Sequence, residues 1–145
     1  MNTTKSILLV EDNPDDEELT LLALREYKLA NDIVVARDGE EALDYLFARG
    51  AHAGRDPRAM PQLVLLDINL PKLSGIDVLR AIRADERTRY VPVVMLTTSK
   101  EENDLVASYS GGANSYIVKP VDFAQFVEAV RQLEVYWLIL NQPVR

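Results

Sequence analysis

The sequence contains no cysteine and only one histidine, His52, among its 145 residues. The lack of cysteine excludes disulfides and thiolate metal sites, and a zinc site would have to rely on carboxylates instead of its usual ligands. His52 stands in residues 50–61, a segment rich in Gly, Ala, Pro and Arg that predicts a long surface loop. We therefore expect His52 to be a solvated loop residue.

Long hydrophobic runs are also missing. The longest, residues 135–140, is far too short to span a bilayer, and the apolar run near the N-terminus is too short for a signal peptide. The net charge of −7 argues against nonspecific binding to nucleic acid or to anionic membranes. We expect a cytoplasmic protein whose partners include neither nucleic acid nor membrane.

Short apolar runs alternate along the chain with amphipathic helical patterns. The predicted strands are residues 6–10, 32–36, 62–67, 91–96 and 114–118. The first predicted helix begins at Pro14 and is capped by Asn13. The other predicted helices cover residues 39–49, 74–85, 101–112 and 122–140. This alternation predicts an α/β fold: a doubly wound five-stranded parallel sheet in the order 2-1-3-4-5, with helices on both faces. We expect one domain over residues 1–145, with a C-terminal helix and tail over about 122–145.

Polar side chains follow the central predicted strands where each strand ends. They are Glu11, Asp12, Asp67, Thr97 and Lys119. Ligands of open α/β sheets bind outside the carboxyl ends of the strands, so these side chains are expected to share one crevice. Three carboxylates and one ammonium leave a charge that a divalent cation would neutralise, and oxygen ligands favour Mg²⁺ or Mn²⁺. A carboxylate in such a crevice is suited to accept a phosphoryl group.

Four segments resemble, in order and over nearly the whole chain, the receiver domain of two-component response regulators. They are "LLVEDN", "LVLLDINLPKLSG", "VVMLTTS" and "GGANSYIVKP". The resemblance implies a flavodoxin-like receiver fold in which a sensor histidine kinase phosphorylates Asp67. It implies a set of Mg²⁺ ligands, namely Glu11, Asp12, Asp67 and the main-chain carbonyl of Asn69. The residues implied to contact the phosphoryl group are Thr97 and Lys119, and those implied to act as the switch are Thr97 and Tyr116.

A narrower resemblance links the chain to single-domain regulators of bacterial and cyanobacterial phytochrome kinases. The "LTTS" segment, the long loop before the third strand and the aromatic, apolar C-terminus carry it. It implies a bacteriophytochrome as the kinase and an unknown downstream protein as the target. The receiver resemblance as a whole implies that the chain is no enzyme beyond its own phosphorylation and dephosphorylation. Three positions depart from the commonest receiver pattern, namely Glu11, Thr98 and Val121.

Three other classes are weighed against this interpretation. A phosphatase of the haloacid-dehalogenase type also uses a strand-end aspartate, but it needs a second aspartate where this chain has Asn69. A flavodoxin-like electron carrier needs a phosphate-binding loop after the first strand, where this chain has the acidic "EDNPDD". A pseudo-receiver would bind partners without phosphorylation, which the presence of all five polar residues disfavours.

The C-terminal helix has more apolar surface than one packed face needs. One stripe would face the sheet: Phe123, Phe126, Val127, Val130, Leu133, Trp137 and Leu140. Other apolar residues fall off this stripe, among them Tyr136, Leu138 and Ile139. They are expected to be covered either by the first helix or by a second copy, and we expect a homodimer. The chain ends about 25 residues after Pro120, and we expect no output domain.

Overall fold

A computed structural model describes residues 6–25, 32–98, 113 and 115–131 of the chain. The five strands are β1 (Ser6–Val10), β2 (Asp32–Ala36), β3 (Leu63–Asp67), β4 (Val93–Thr97) and β5 (Ser115–Val118). The described residues form four α-helices, which are α1 (Pro14–Arg25), α2 (Gly39–Leu46), α3 (Gly75–Ala84) and α4 (Phe123–Arg131). A short 3₁₀ turn, Gly50–His52, lies between α2 and β3.

The strands form one parallel sheet in the order β2-β1-β3-β4-β5. This confirms the predicted strand order, with β1, β3 and β4 in the interior of the sheet. The register aligns Asp67 with Leu96 and Thr97 with Val118, so the carboxyl ends of β3, β4 and β5 lie at the same edge. Side chains that follow these strands are therefore brought together, as the sequence predicted.

Two hydrophobic clusters fill the space on the two faces of the sheet. Alternate strand residues belong to different clusters: Leu8 and Leu66 pack with residues of α2 and α3, whereas Leu9 and Leu65 pack with residues of α1 and α4. A strand covered on both faces needs apolar residues at consecutive positions, which explains the unbroken runs in the sequence. Each fully buried Leu contributes about 1.5–3 kcal/mol through burial.

Helix caps fix the starts of the helices beside the sheet. Asn13 Oδ1 accepts hydrogen bonds from the backbone N–H groups of Asp15 (2.9 Å) and Asp16 (3.1 Å), which confirms the predicted cap of α1. Ser74 caps α3 in the same way through Asp77 N–H, at 3.2 Å. These bonds satisfy helix N–H groups that have no partner within the helix, and they thereby determine the residue at which each helix begins.

Two predicted boundaries were wrong by a few residues. The fourth strand begins at Val93 instead of residue 91, because Pro92 has no N–H and joins the sheet only through its carbonyl. The second helix ends at Leu46 instead of residue 49, because Ala48 adopts a left-handed φ of 52° that stops the helix.

The loop over residues 50–61 is held against α2, and the expectation for His52 was wrong. The His52 ring packs edge-on against Tyr45, with ring centroids 5.3 Å apart, and its Nε2 lies 3.3 Å from Glu41 Oε2. The Arg55 guanidinium lies over the Tyr45 ring, 4.1 Å from its centroid, and donates to the carbonyls of Tyr45 and Ala59. His52 is consequently part-buried instead of solvated.

Several predictions fall on residues outside the described part of the chain. These are the helix over 101–112, the end of the C-terminal helix, and the interface residues Tyr136, Leu138 and Ile139. Within α4, Phe126 and Val130 are buried as the predicted stripe requires. Among the described residues, no helix is long and apolar enough to cross a membrane.

Candidate functional site

Asp67 is the last residue of β3 and is only 2% exposed. Its Oδ1 accepts a hydrogen bond from the backbone N–H of Asn69 at 3.2 Å. The backbone continues the sheet by one further bond, from Ile68 N–H to the Leu96 carbonyl at 3.1 Å. The carboxylate is therefore held at the sheet edge by backbone that belongs to the sheet itself.

The contact between Asp67 and α3 depends on Gly75, the first residue of that helix. A Cβ atom at Gly75 would lie 2.2 Å from the Asp67 carbonyl oxygen and 2.7 Å from Ile68 Cα. The Gly75 N–H donates to the Ile68 carbonyl at 2.9 Å, which draws the helix start against the strand end. A residue without a side chain is required for this approach.

Glu11 and Asp12 follow β1 and complete an acidic cluster with Asp67. Glu11 is fully buried, and its backbone N–H extends the sheet by donating to the Ala36 carbonyl at 2.9 Å. Asp12 is exposed. Glu11, Asp12 and Asp67 each offer one carboxylate oxygen, and these oxygens lie within 4.8 Å of one another. The structure thus brings together the three carboxylates that the sequence analysis grouped.

Lys119 follows β5, and its ammonium contacts three carboxylates from three elements. Nζ lies 2.9 Å from Glu11 Oε1, 3.0 Å from Asp67 Oδ2 and 3.0 Å from Asp16 Oδ2. The backbone N–H of Lys119 donates to the Thr97 carbonyl at 2.7 Å, and the Lys119–Pro120 peptide is cis. This ammonium is the positive charge at the centre of the cluster.

Asp16 is the site residue that sequence reasoning missed. As a sequence pattern, the run of acids at 15–18 indicates only a favourable charge at the start of a helix. Asp16 is the third residue of α1, however, and side chains at that position point back toward the helix start. Two signals in the sequence could have indicated that Asp16 contacts the site. They are the cap at Asn13 and the short distance along the chain from the end of the first strand to Asp16.

The electrostatics of the cluster follow from burial. Burial is the largest influence on Glu11 and raises its pKa to about 7, against the opposing effect of Lys119 and together with the repulsion of Asp67. Burial by itself would lower the pKa of Lys119, but its contacts with Glu11, Asp16 and Asp67 together raise that pKa above its ordinary value. Lys119 is therefore a permanent cation at neutral pH.

The donor set fits a hard divalent cation. Glu11, Asp12 and Asp67 form the cluster, and together with Asp16 beside Lys119 they bring four carboxylates against one ammonium, which leaves a net charge of −3 when all are ionised. Within the described residues, Glu11 Oε1 accepts no hydrogen bond of good geometry although it is buried, and its contact with Lys119 is an ion pair. A buried carboxylate that shares its one positive neighbour with two other carboxylates, in an all-oxygen set, suits Mg²⁺ or Mn²⁺.

The remaining predicted residues lie near the cluster or on β5. Thr97 ends β4 and is fully buried, whereas the neighbouring Thr98 is exposed. Asn69 is exposed and contacts Asp67 through its N–H. Tyr116 lies on the edge strand β5 and is 36% exposed. The roles of Thr97 and Tyr116 in switching, and of the Asn69 carbonyl as a metal ligand, stay predictions.

The fold and the acidic crevice with its lysine define a receiver-type α/β protein. The model of the response regulator receiver domain matches residues 7–131, so the chain belongs to this family. Receiver domains are phosphorylated on an aspartate and are generally not enzymes. This result removes the haloacid-dehalogenase phosphatase and the flavodoxin-like electron carrier as alternatives.

Its relatives include phytochrome response regulators and a probable methanogenesis regulatory protein. The solved structure of the bacteriophytochrome response regulator AtBRR is 55% identical, with a TM-score of 0.85 over 91% of this chain and 94% of that chain. The chain is also 43% identical to the probable methanogenesis regulatory protein FilR2 of Methanothrix harundinacea, over 94% of this chain and 85% of FilR2. Rcp1 of Synechocystis is 37% identical over 94% of this chain and 91% of Rcp1.

Homologous receiver structures bind the cations that the donor set indicates. A solved structure of Rcp1 is its Mn²⁺-bound form, with 36% identity and a TM-score of 0.70 over 93% of this chain and 95% of that chain. Another homologous receiver domain, that of the sensor histidine kinase PA1611 of Pseudomonas aeruginosa, has a magnesium ion coordinated in its active-site cleft, and the acidic cluster of this chain offers carboxylate oxygens of the kind that bind such ions.

Proposed function

We propose that Asp67 accepts a phosphoryl group from a sensor histidine kinase and that this modification switches a protein-interaction surface. The observation that carries the proposal is the buried Asp67 carboxylate, placed 3.0 Å from the Lys119 ammonium and within the acidic cluster. A carboxylate can attack phosphorus as a nucleophile, and a nearby cation stabilises the charge on the phosphoryl oxygens.

The other site residues have roles that follow from their chemistry. Glu11, Asp12, Asp67 and the Asn69 carbonyl would hold Mg²⁺, which when bound neutralises charge on the transferring group. Lys119 would donate a hydrogen bond to a phosphoryl oxygen, as would the Thr97 hydroxyl at the end of the neighbouring strand. Tyr116, half-exposed on β5, would report the change by altering its packing.

Phosphate uptake on Asp67 is the direct test. Incubation with acetyl phosphate and Mg²⁺ should add one phosphoryl group to the wild type, as measured by intact mass. Asp67→Asn should abolish the addition, and so should EDTA. Asp77→Asn is a matched control, because Asp77 is an exposed aspartate of α3 outside the cluster. Labelling of Asp67→Asn at the wild-type rate would reject the assignment of Asp67, whereas a wild type that takes up no phosphate would favour the pseudo-receiver.

We infer that the phosphodonor is a bacteriophytochrome kinase. The similarity to AtBRR and Rcp1 supports this, whereas the similarity to FilR2 is the reason to test other kinases in parallel. Such kinases use ATP, which supports a location in the cytoplasm. In a phosphotransfer panel, a bacteriophytochrome kinase should label the protein fastest, and Asp67→Asn should remain unlabelled. Faster labelling by an unrelated kinase would contradict this partner.

We also propose a homodimer as the assembled state, with an unidentified protein downstream. Support for the dimer comes from the sequence pattern at Tyr136, Leu138 and Ile139, whose apolar side chains exceed what one packed helix face needs. A two-fold interface would cover them with a single self-complementary patch.

A further inference from the structure

Asp16 is the third partner of the Lys119 ammonium and differs in kind from the other two. Lys119 donates hydrogen bonds to Asp16 Oδ2 and Asp67 Oδ2, both at 3.0 Å, and forms an ion pair with Glu11. The side chains of Glu11 and Asp67 are 0% and 3% exposed, whereas that of Asp16 is 30% exposed. Only Asp16 can therefore exchange Lys119 for water without leaving a buried, unpaired charge.

The backbone of Asp16 is held in place by the start of α1. The Asn13 side chain accepts from the Asp16 N–H at 3.1 Å, and the Asn13 N–H donates to Glu11 Oε2 at 3.2 Å. The residue is thus anchored to the end of β1 while its side chain reaches the ammonium. Asp16 is not among the three residues whose oxygens form the acidic cluster.

Phosphorylation of Asp67 changes the hydrogen-bond partners of the Lys119 ammonium. Transfer from acetyl phosphate breaks the bond between phosphorus and the acetyl oxygen, forms a bond from phosphorus to an Asp67 carboxylate oxygen, and releases acetate, with no proton gained or lost. The phosphorylated side chain carries more negative charge than the free carboxylate. A donor of Lys119 must then turn to a phosphoryl oxygen, and the Asp16 carboxylate both competes for that donor and repels the incoming group.

We propose that Asp16 is a positioning residue that restrains Lys119 in the unphosphorylated protein and thereby slows phosphoryl uptake at Asp67. The proposal rests on the proposed function of Asp67 and adds to it a determinant of the uptake rate. Part-exposed ion pairs have modest energies, so removal of the Asp16 charge should accelerate uptake by about two- to fivefold.

The test compares uptake rates from acetyl phosphate at saturating Mg²⁺. Asp16→Asn removes the charge and keeps an oxygen at a similar position, and it should be faster than wild type. Asp15→Asn is the matched control, because it removes the same charge from the preceding, exposed residue of the same helix turn. It should react at the wild-type rate. Asp16→Glu retains a carboxylate and should stay close to wild type, and thermal melts of all three variants check that they fold.

The possible outcomes distinguish a failure of the proposal for Asp16 from a failure of the proposed function of Asp67. Equal acceleration by Asp15→Asn and Asp16→Asn would show an effect of net charge alone and overturn the role of the Lys119 contact. An unchanged or slower rate in Asp16→Asn, or a rate in Asp16→Glu as fast as in Asp16→Asn, would overturn it as well. Asp67→Asn is measured in parallel: if it takes up phosphate as the wild type does, the proposed function itself fails, whatever the Asp16 variants show.

Discussion

Lys119 joins three parts of the fold at the scale of single residues. Its ammonium contacts Glu11 after β1, Asp16 in α1 and Asp67 at the end of β3. Removal of this lysine would leave two almost fully buried carboxylates without a cation, which costs several kcal/mol. The lysine therefore has a structural function in addition to its proposed contact with the phosphoryl group.

Because the carboxylates of the acidic cluster repel one another, removal of one should stabilise the metal-free protein and weaken metal binding. Without Mg²⁺, Asp12→Ala should raise the melting temperature by about 2–4 °C, because it removes one of several like charges from the acidic cluster. It should also abolish the rise that Mg²⁺ produces, which for a ligand at 100 times its Kd corresponds to about 2.7 kcal/mol. Thermal melts with and without Mg²⁺ measure both effects.

The control for this prediction is Glu128→Ala, because Glu128 is an exposed carboxylate on α4, outside the cluster. Its Mg²⁺-dependent rise should equal that of the wild type. If Asp12→Ala retains the same rise, the metal is bound elsewhere.

The sequence predicted four members of the site and missed one. Glu11, Asp12, Asp67 and Lys119 could be grouped because each follows a strand of one parallel sheet, and the ends of parallel strands meet at one edge. Asp16 belongs to a helix, and its contact with Lys119 spans 103 positions of sequence. Such a contact depends on the angle at which α1 leaves the sheet, which the cap controls and a pattern of residue types does not reveal.

At the scale of elements, the junction between β3 and α3 controls where Asp67 lies. Gly75→Ala would place a methyl group 2.2 Å from the Asp67 carbonyl oxygen, so the helix start or the strand end must shift. We expect a loss of about 2–3 kcal/mol of unfolding free energy and slower phosphate uptake. Denaturant unfolding and intact mass measure the two quantities.

Gly54→Ala is the matched substitution for Gly75→Ala. Nothing lies within 4 Å of a Cβ at Gly54, and its φ is not left-handed. This variant should unfold and take up phosphate as the wild type does. Equal stability of the two variants would contradict the requirement for close approach at Gly75.

Elements were easier to predict than their ends. The apolar runs identify the strands because both faces of the sheet are covered, and Asn13 and Ser74 identify two helix starts by their capping chemistry. The ends depend on single residues: Pro92 delays β4, and Ala48 stops α2. The packing of His52 against Tyr45 could not be expected either, since it requires the loop to fold back on α2.

At the scale of the whole molecule, the predicted homodimer can be tested through the C-terminal residues. The double variant Leu138→Glu, Ile139→Glu should be monomeric in light scattering, because it introduces two charges into a patch that must be desolvated on association. Burial of three apolar side chains could contribute about 5 kcal/mol before the costs of association. A wild type that is monomeric at micromolar concentration, phosphorylated or not, would contradict the dimer.

The most direct measurement of the central claim is the location of the phosphoryl group. The protein is incubated with acetyl phosphate and Mg²⁺, reduced with borohydride, digested and sequenced by mass spectrometry. Borohydride converts an aspartyl phosphate to homoserine, so we expect homoserine at position 67 and at no other aspartate. Two results would contradict the account. One is an unchanged aspartate at position 67 in protein whose intact mass shows one added phosphoryl group. The other is homoserine at Asp12 or Asp16 instead.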